Sequence, residues 1–228
     1  MKDKLVVKVT AEGVYKRKLL LKAAKISLSA ILLFLLIMYS VLYIVNETGY
    51  FTIIIDRNSA DSLLLSSTRD FSTTEVNLRA NSPESMDNIS ELWLPPDIND
   101  HEGDNSGKDY IAYTFFIKND SQRSVDYEAS INIRSVTKNV DEAVRVKVYH
   151  NDEPTVFAKL ARDGNPEPGT VPFTSNTRVM GNIRRDFEPE EIDKYTVVIW
   201  LEGDDPECTD EIIGGFMNMY MLIRLHEE

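Results

Sequence analysis

The sequence predicts an all-β domain, an antiparallel jelly-roll-like sandwich, preceded by a single N-terminal transmembrane α-helix. Three observations carry this expectation. Residues 26–45, ISLSAILLFLLIMYSVLYIV, form an apolar run without a charged residue. After residue 50, apolar residues recur at every second position in short segments, the period of a half-buried strand. Between the segments lie clusters of Gly, Pro, Asn, Asp and Ser, the residues that make turns.

The apolar run comes first. At a rise of about 1.5 Å per residue it spans roughly 30 Å as a helix, one hydrocarbon core. Lys16, Arg17, Lys18, Lys22 and Lys25 stand before it. The positive-inside rule then places the N-terminus in the cytoplasm and everything after Val45 outside. Tyr39, Tyr43 and Tyr50 fit an outer aromatic belt. A cleaved signal carries an apolar region of about 7–15 residues followed by a small-x-small site. This run is longer, and Asn46-Glu47-Thr48 matches such a site poorly, so the segment is expected to stay as a signal anchor. The expected organisation is a basic cytoplasmic segment over 1–25, the membrane helix over 26–45 and an extracellular acidic β-sandwich over 46–228. Localisation follows: a single-pass protein of the cell membrane.

Charge divides the chain at the same place. It is −12 overall and residues 1–45 carry +6, which leaves −18 on residues 46–228. Nucleic acid and anionic lipid surfaces repel such a domain, so no nucleic-acid partner is expected. There is one cysteine, Cys208, hence no internal disulfide framework. About 180 residues suffice for a core without one. Asn46-Glu47-Thr48, Asn88-Ile89-Ser90 and Asn119-Asp120-Ser121 match the glycosylation sequon, a pattern that matters only in a eukaryote.

Along the outer domain, Asn46 to Gly49 is expected to turn the chain and Tyr50–Ile55 to form a strand. Ser62–Leu65 and Glu75–Leu78 are short strand candidates. Asn81–Gly107, rich in Ser, Asp, Asn, Pro and Gly, is expected to be a long surface loop pinned to the core by Trp93. In Tyr110–Asn119, the residues Ile111, Tyr113, Phe115 and Ile117 share one face. Val125, Tyr127, Ala129, Ile131 and Ile133 alternate with Asp126, Glu128, Ser130, Asn132 and Arg134, a strand with a wet outer face. Val144, Val146 and Val148 lead through His150-Asn151-Asp152-Glu153 to Val156, Ala158 and Leu160, a hairpin pattern. Ala161–Pro172 is a loop, and Val179–Ile183 is short and extended. Glu188–Asp193 reads as a helical turn or loop. Tyr195, Val197, Ile199 and Leu201 form an inner face with Trp200 opposite. Met217, Met219, Met221, Ile223 and Leu225 alternate in the last strand, where the methionines read as core filling. Eight to ten such strands make a sandwich.

Catalytic signatures such as His-Glu-x-x-His, Gly-x-Ser-x-Gly or a phosphate-cradling glycine loop do not occur. The acidic stretch Glu202 to Glu211 offers several hard oxygens, so Asp204, Asp205, Glu207 and Asp210 are candidate calcium ligands, although the spacing is not that of an EF-hand. No other cofactor is expected. Carboxylates around Cys208 should raise its pKa and make it a poor nucleophile.

The stretch WLEGDDPECTDEIIGG over 200–215, followed by the alternating last strand, resembles the C-terminal segment of the camelysin/TasA family of bacterial surface and biofilm-matrix proteins. Tyr110–Asn119, running through Lys118-Asn119-Asp120-Ser121 into Val125–Ile133, looks like that family's central hairpin. The resemblance is specific over 195–223 and suggestive over 110–150. It implies a jelly-roll domain held at the surface of a Gram-positive bacterium. Members include fibre-forming matrix proteins in which an N-terminal strand completes the next subunit's sheet. Tyr50–Ile55 is the matching segment, with Tyr50, Phe51, Ile53 and Ile55 as interaction residues. Such proteins usually carry a cleavable signal, whereas this chain is expected to keep its anchor.

The leading expectation is therefore a non-enzymatic membrane-anchored surface protein that works in matrix assembly by β-strand addition, with itself or other matrix proteins as partners. One alternative is a surface metallopeptidase of camelysin type, using His101, His150 and nearby carboxylates. Another is a cation- or ligand-sensing ectodomain with its site at 202–211.

Overall fold

A computed structural model describes residues 11–47, 51–83 and 85–226. The chain divides into two units at Thr48/Gly49. The first contains one α-helix, α1, Ala11–Glu47, longer at both ends than the apolar run. Its composition explains it: Leu, Ala and Lys are frequent, and no proline interrupts. Ser40 returns its hydroxyl proton to Leu36 O at 2.9 Å, so this polar side chain is satisfied within the helix. The stretch Gly13–Ser40 contains an unburied 18-residue window with a mean hydropathy of 2.2, which makes it long and apolar enough for a signal sequence or a membrane anchor. The turn expected at Asn46–Gly49 is absent at Asn46 and Glu47, which continue the helix. Thr48, Gly49 and Tyr50 lie outside the described residues, as do Met1 to Thr10 of the basic segment.

The second unit is mostly β, with twelve strands: β1 Thr52–Ile55, β2 Leu63–Ser66, β3 Asn77–Arg79, β4 Gly103–Asp104, β5 Tyr110–Asn119, β6 Val125–Val136, β7 Val144–His150, β8 Glu153–Ala158, β9 Val171–Pro172, β10 Arg178–Phe187, β11 Ile192–Leu201 and β12 Met217–Leu225. One sheet has the order β10-β6-β12-β1-β3; the other runs β2-β5-β11-β7-β8-β9, with β4 also paired to β5. The expectation of a wholly antiparallel fold is corrected at two places. β1 runs parallel to β12, with Ile53 beside Met221, and β8 runs parallel to β9. Both sheets are therefore mixed.

Period-two burial drives the assembly. Tyr113, Phe115 and Ile117 of β5, Tyr195, Val197 and Ile199 of β11, and Val144, Val146 and Val148 of β7 face Tyr127, Ala129 and Ile131 of β6, Met221 and Ile223 of β12, and Ile53 and Ile55 of β1 in one apolar core. The two sheets thus close on each other like the halves of a sandwich. A second, smaller cluster covers the other face of the seven-stranded sheet: Ile89 and Ile98 pack on Ala112, Val198 and Trp200. Trp200 is fully buried, and its indole N–H donates to Glu202 Oε2 at 3.0 Å. On the same face the Thr114 and Thr196 hydroxyls pair at 2.8 Å between β5 and β11.

Several local expectations change. Trp93 does not pin the 81–107 loop: it is 74% exposed and Leu92 is 90% exposed, while Ile89 and Ile98 make the contact instead. The loop also holds a 3-10 turn, Glu91–Trp93, and β4. The outer face of β6 is not uniformly wet, because Glu128 is buried between Arg178 at 3.0 Å and Arg224 at 2.5 Å. In the β7–β8 hairpin, Asn151 and Asp152 both take positive φ (48° and 73°), the conformation of a type I′ turn. Its register puts Phe157 opposite Val146 and against the main core, while Val156 packs with the smaller cluster and Leu160 lies beyond the strand. Glu188–Glu191 is a β-turn closed by Glu191 N–H to Glu188 O at 3.1 Å. Glu190 sits there at φ 66°, the left-handed position of a type II turn. β10 is twice as long as Val179–Ile183 and carries register shifts near both ends.

Ile53 is fully buried on β1. Ile53→Ala is expected to cost about 3 kcal/mol, read as a lowered urea midpoint at unchanged slope.

Candidate functional site

β10 ends the five-stranded sheet, and β8 with β9 ends the other. Between these edges opens a cleft of about 540 Å³, lined among others by Val148, His150, Phe157, Met180, Asn182 and Tyr195. Beneath it lies a buried polar network. Its centre is Asp193 on β11, 1% exposed. Period two places this residue on the same inward face as Tyr195, Val197 and Ile199, so a carboxylate stands where the strand otherwise presents apolar side chains.

The carboxylate is heavily partnered. Tyr127 of β6 donates its hydroxyl proton to Asp193 Oδ2 and stands 3.1 Å from the Tyr195 hydroxyl. Asn151, in the type I′ turn, donates from Nδ2 to Asp193 Oδ1 at 2.6 Å. That amide is itself held, since its Oδ1 accepts the Lys194 backbone N–H at 2.9 Å. His150 Nε2 lies 3.3 Å from Asp193 Oδ2 in a poorly aligned contact, and Arg184 Nε lies 3.4 Å away. The rings fix the geometry. His150 stacks on Tyr195 at 4.5 Å between centroids, and Phe115 stacks on Tyr195 at 5.5 Å. Phe187 meets Tyr127 edge-on at 5.1 Å.

Electrostatics follow from burial and these partners. Burial pushes the Asp193 carboxyl up, but His150, Tyr127 and Asn151 together outweigh it and hold it below the ordinary aspartate value. Burial, with the Tyr195 and Asp193 neighbours, pushes the Tyr127 hydroxyl far up. Tyr195 is raised too, by burial foremost. The hub is thus an ionised carboxylate among neutral phenols. Chemically it can hold the two sheets together at the open flank and present the His150 edge and Asn182 to a bound molecule. The signal for Asp193 was present in the sequence as one acid on an alternating apolar face. Its partners were not, because they come from four different strands or turns.

The acidic loop is placed differently from the calcium expectation. Asp205 and Glu207 are buried, and they converge with Glu167 from the 161–172 loop, their carboxylate oxygens within 4.8 Å of one another. Asp204 and Asp210 are exposed and outside this group. The group surrounds a cation of the chain itself. Arg145 of β7 bonds Asp205 directly and lies 3.3 Å from Glu167 Oε2. Burial and the Asp205 charge push Glu167 up against the pull of Arg145. Cys208 beside them is raised by burial first, then by Asp205 and Glu202. Neither histidine nominated for a metal belongs to this group, which is the one such cluster among the described residues. His101 pairs with Asp97 at 3.2 Å on the surface, and His150 belongs to the cleft.

Of the nominated interaction residues, Phe51, Ile53 and Ile55 are buried in the chain's own core, and β1 is paired on both sides, by β12 and β3. Tyr50 lies outside the described residues.

The fold and these sites define a mostly β, two-sheet domain behind one apolar helix. No family model and no curated protein matches the chain. Among solved structures, a β-glucosidase from Kluyveromyces marxianus in complex with glucose aligns with TM-score 0.29 and 13% identity, over 80% of this chain and 18% of its own. Its selenomethionine-labelled form aligns with TM-score 0.27 and 15% identity, over 78% and 19%. The chain therefore spans about a fifth of those enzymes' length, and matches this weak carry no argument about fold or chemistry.

Two predictions follow from the buried charges. Asp193→Asn is expected to cost about 3 kcal/mol in urea unfolding, since it leaves donors without their anion. Because the native carboxyl is held below the ordinary value of 3.8, its contribution is present above that pH and is lost as pH falls below it. The variant's acid unfolding should accordingly be flatter, and an unchanged acid limb would refute the assignment. Arg145→Ala is expected to cost about 4 kcal/mol, because Asp205 and Glu167 stay buried without their cation.

Proposed function

We propose that this chain is a non-enzymatic, single-pass surface protein. α1 spans the membrane with the basic N-terminal segment in the cytoplasm, and the β domain works outside as a structural or assembly module. On this reading it is a membrane-held relative of the camelysin/TasA type with a jelly-roll-like domain, and it acts in cell-surface or biofilm matrix by β-strand pairing between copies or with other matrix proteins. The orientation rests on Lys16, Arg17, Lys18, Lys22 and Lys25 before the apolar run.

The observation that carries the proposal is β1. It is four residues long, follows the apolar helix almost directly, and contributes Ile53 and Ile55 to the core while its backbone fills the gap between β12 and β3. A strand so short and so self-contained is an element that the same strand of a second copy replaces with identical contacts. The outer edges suit addition less well. β10 is kinked by register shifts and carries Arg184 and Arg185, and β9 is two residues long with Pro172 in it. Such features blunt an edge against pairing. Exchange of β1 is therefore favoured over growth at an outer edge.

Two measurements test this. Intact mass of the protein from membrane and secreted fractions should show full-length chain in the membrane; a secreted product starting near Gly49 would remove the anchor. In a Cys208→Ser background, the pair Ile54→Cys and Leu222→Cys should bridge register partners of β1 and β12. Oxidation should abolish self-association and reduction restore it. Self-association that ignores the bridge would refute strand exchange.

A further inference from the structure

The domain's exposed apolar side chains are not scattered. Outside α1, eight large apolar residues are exposed among those described, and five of them, Leu92, Trp93, Leu160, Ile213 and Phe216, come from three separate segments. Hydrogen bonds and ion pairs tie all three segments to one end of the sandwich. There β6 leaves at Val136, a 3-10 turn spans Val140–Glu142, and β11 ends with Leu201 opposite Val144, the first residue of β7. Phe216 exchanges hydrogen bonds with Thr137, and the Ile213 carbonyl accepts from Lys138 Nζ. Leu160 follows Lys159, whose ammonium pairs with Asp141 at 2.8 Å. The turn bearing Leu92 and Trp93 is held by Glu91 N–H to Glu202 Oε2 at 3.3 Å, and Glu202 N–H reaches Ala143 O at 2.9 Å.

The chain enters the domain at this same end. Thr52 pairs with Tyr220 in parallel, so β1 begins at the end of the sandwich where β12 begins, just after Phe216. Four residues separate Glu47, the last of α1, from Thr52, the first of β1. Five residue steps reach at most roughly 18 Å, whatever angle the two units adopt. A lipid-embedded α1 thus keeps this end within reach of the headgroups.

We propose that the strand-entry end of the domain docks on the membrane surface, with Trp93, Leu92, Ile213, Phe216 and Leu160 dipping into the lipid interface. The inference rests on the reading of α1 as a retained anchor. Tryptophan and aliphatic side chains together are the composition that partitions to the headgroup region. Clustered exposed apolar surface on an otherwise acidic domain calls for a cover, and the bilayer is the one held in place by the chain itself. Asp204, Asp210 and Glu211 are exposed in the loop that carries Ile213. The contact is therefore apolar and suits zwitterionic lipid, with anionic headgroups opposing it.

The two tryptophans make the test direct, because Trp200 is fully buried and Trp93 is not. The full chain is reconstituted into phosphatidylcholine vesicles with brominated acyl chains, and Trp93 emission is taken as the difference between the wild type and Trp93→Phe. The expected result is a blue-shifted Trp93 signal, quenched by the bromolipid and protected from aqueous acrylamide. Phosphatidylglycerol should weaken the quenching and added salt restore it. If the chain floats with the vesicles while Trp93 stays acrylamide-accessible and insensitive to bromolipid, the docking is wrong and the anchor stands. If the chain does not float with the vesicles, the anchor reading fails and the docking with it. Quenching that grows with anionic lipid would overturn the apolar mechanism.

Discussion

The five-stranded sheet is completed by pairing the domain's first strand with its last. Ile53 lies beside Met221 and Ile55 beside Ile223, nearly the whole domain apart in sequence. With one cysteine and no disulfide, the cohesion of the domain depends on this closure. Until β12 exists, β1 and the β3 that pairs only with it have no sheet to join. Their apolar residues must wait, and such non-local pairing makes folding slow relative to local hairpins such as β7–β8. The same pairing brings the point of chain entry next to the C-terminal strand and so fixes which end of the sandwich any tether holds.

Buried charge is the second organising theme. The domain is strongly acidic, yet several of its acids lie inside, and four of them meet arginine: Asp193 near Arg184, Asp205 and Glu167 at Arg145, and Glu128 between Arg178 and Arg224. Arginine suits this task because its planar fork meets carboxylates with several donors at once. Each pairing joins elements that the apolar core alone would leave free to slide. Arg145 fastens two long loops to β7, and Glu128 ties β10 to β12 across β6.

What the sequence revealed follows from periodicity. β6, β7 and β12 alternate, and the inward faces of these strands and of β5 and β11 are those read from the sequence, although β5 and β11 are buried on both faces. β10 was read short because RVMGNIRRDF does not alternate; it is an edge strand, so its exposure follows solvent access more than the pleat. Parallel pairing left no local trace, since β1 reads the same whichever way its neighbour runs. Trp93 misled because a large aromatic in a polar loop suggests an anchor, while the smaller Ile89 and Ile98 do the packing. Of the acidic stretch, sequence proximity grouped Asp204 and Asp210 with Asp205 and Glu207. The fold replaced that group with one that includes Glu167 and Arg145, from other segments. Cys208 behaves as its acidic neighbours suggested, with burial as the larger cause.

The parallel register of β1 on β12 also has a mechanical meaning. On the proposed reading of α1 as an anchor, a load carried along the chain enters the sandwich at Phe51, and its component along β1 falls on the pairing of that strand. Hydrogen bonds to β12 on one side and β3 on the other lie across that axis, so they are strained together in shear and not opened one after another. Phe51, Ile53 and Ile55, seated in the core, resist the same sliding motion. Tension fed in at this point is thus met by strand pairing on both sides and by buried side chains together.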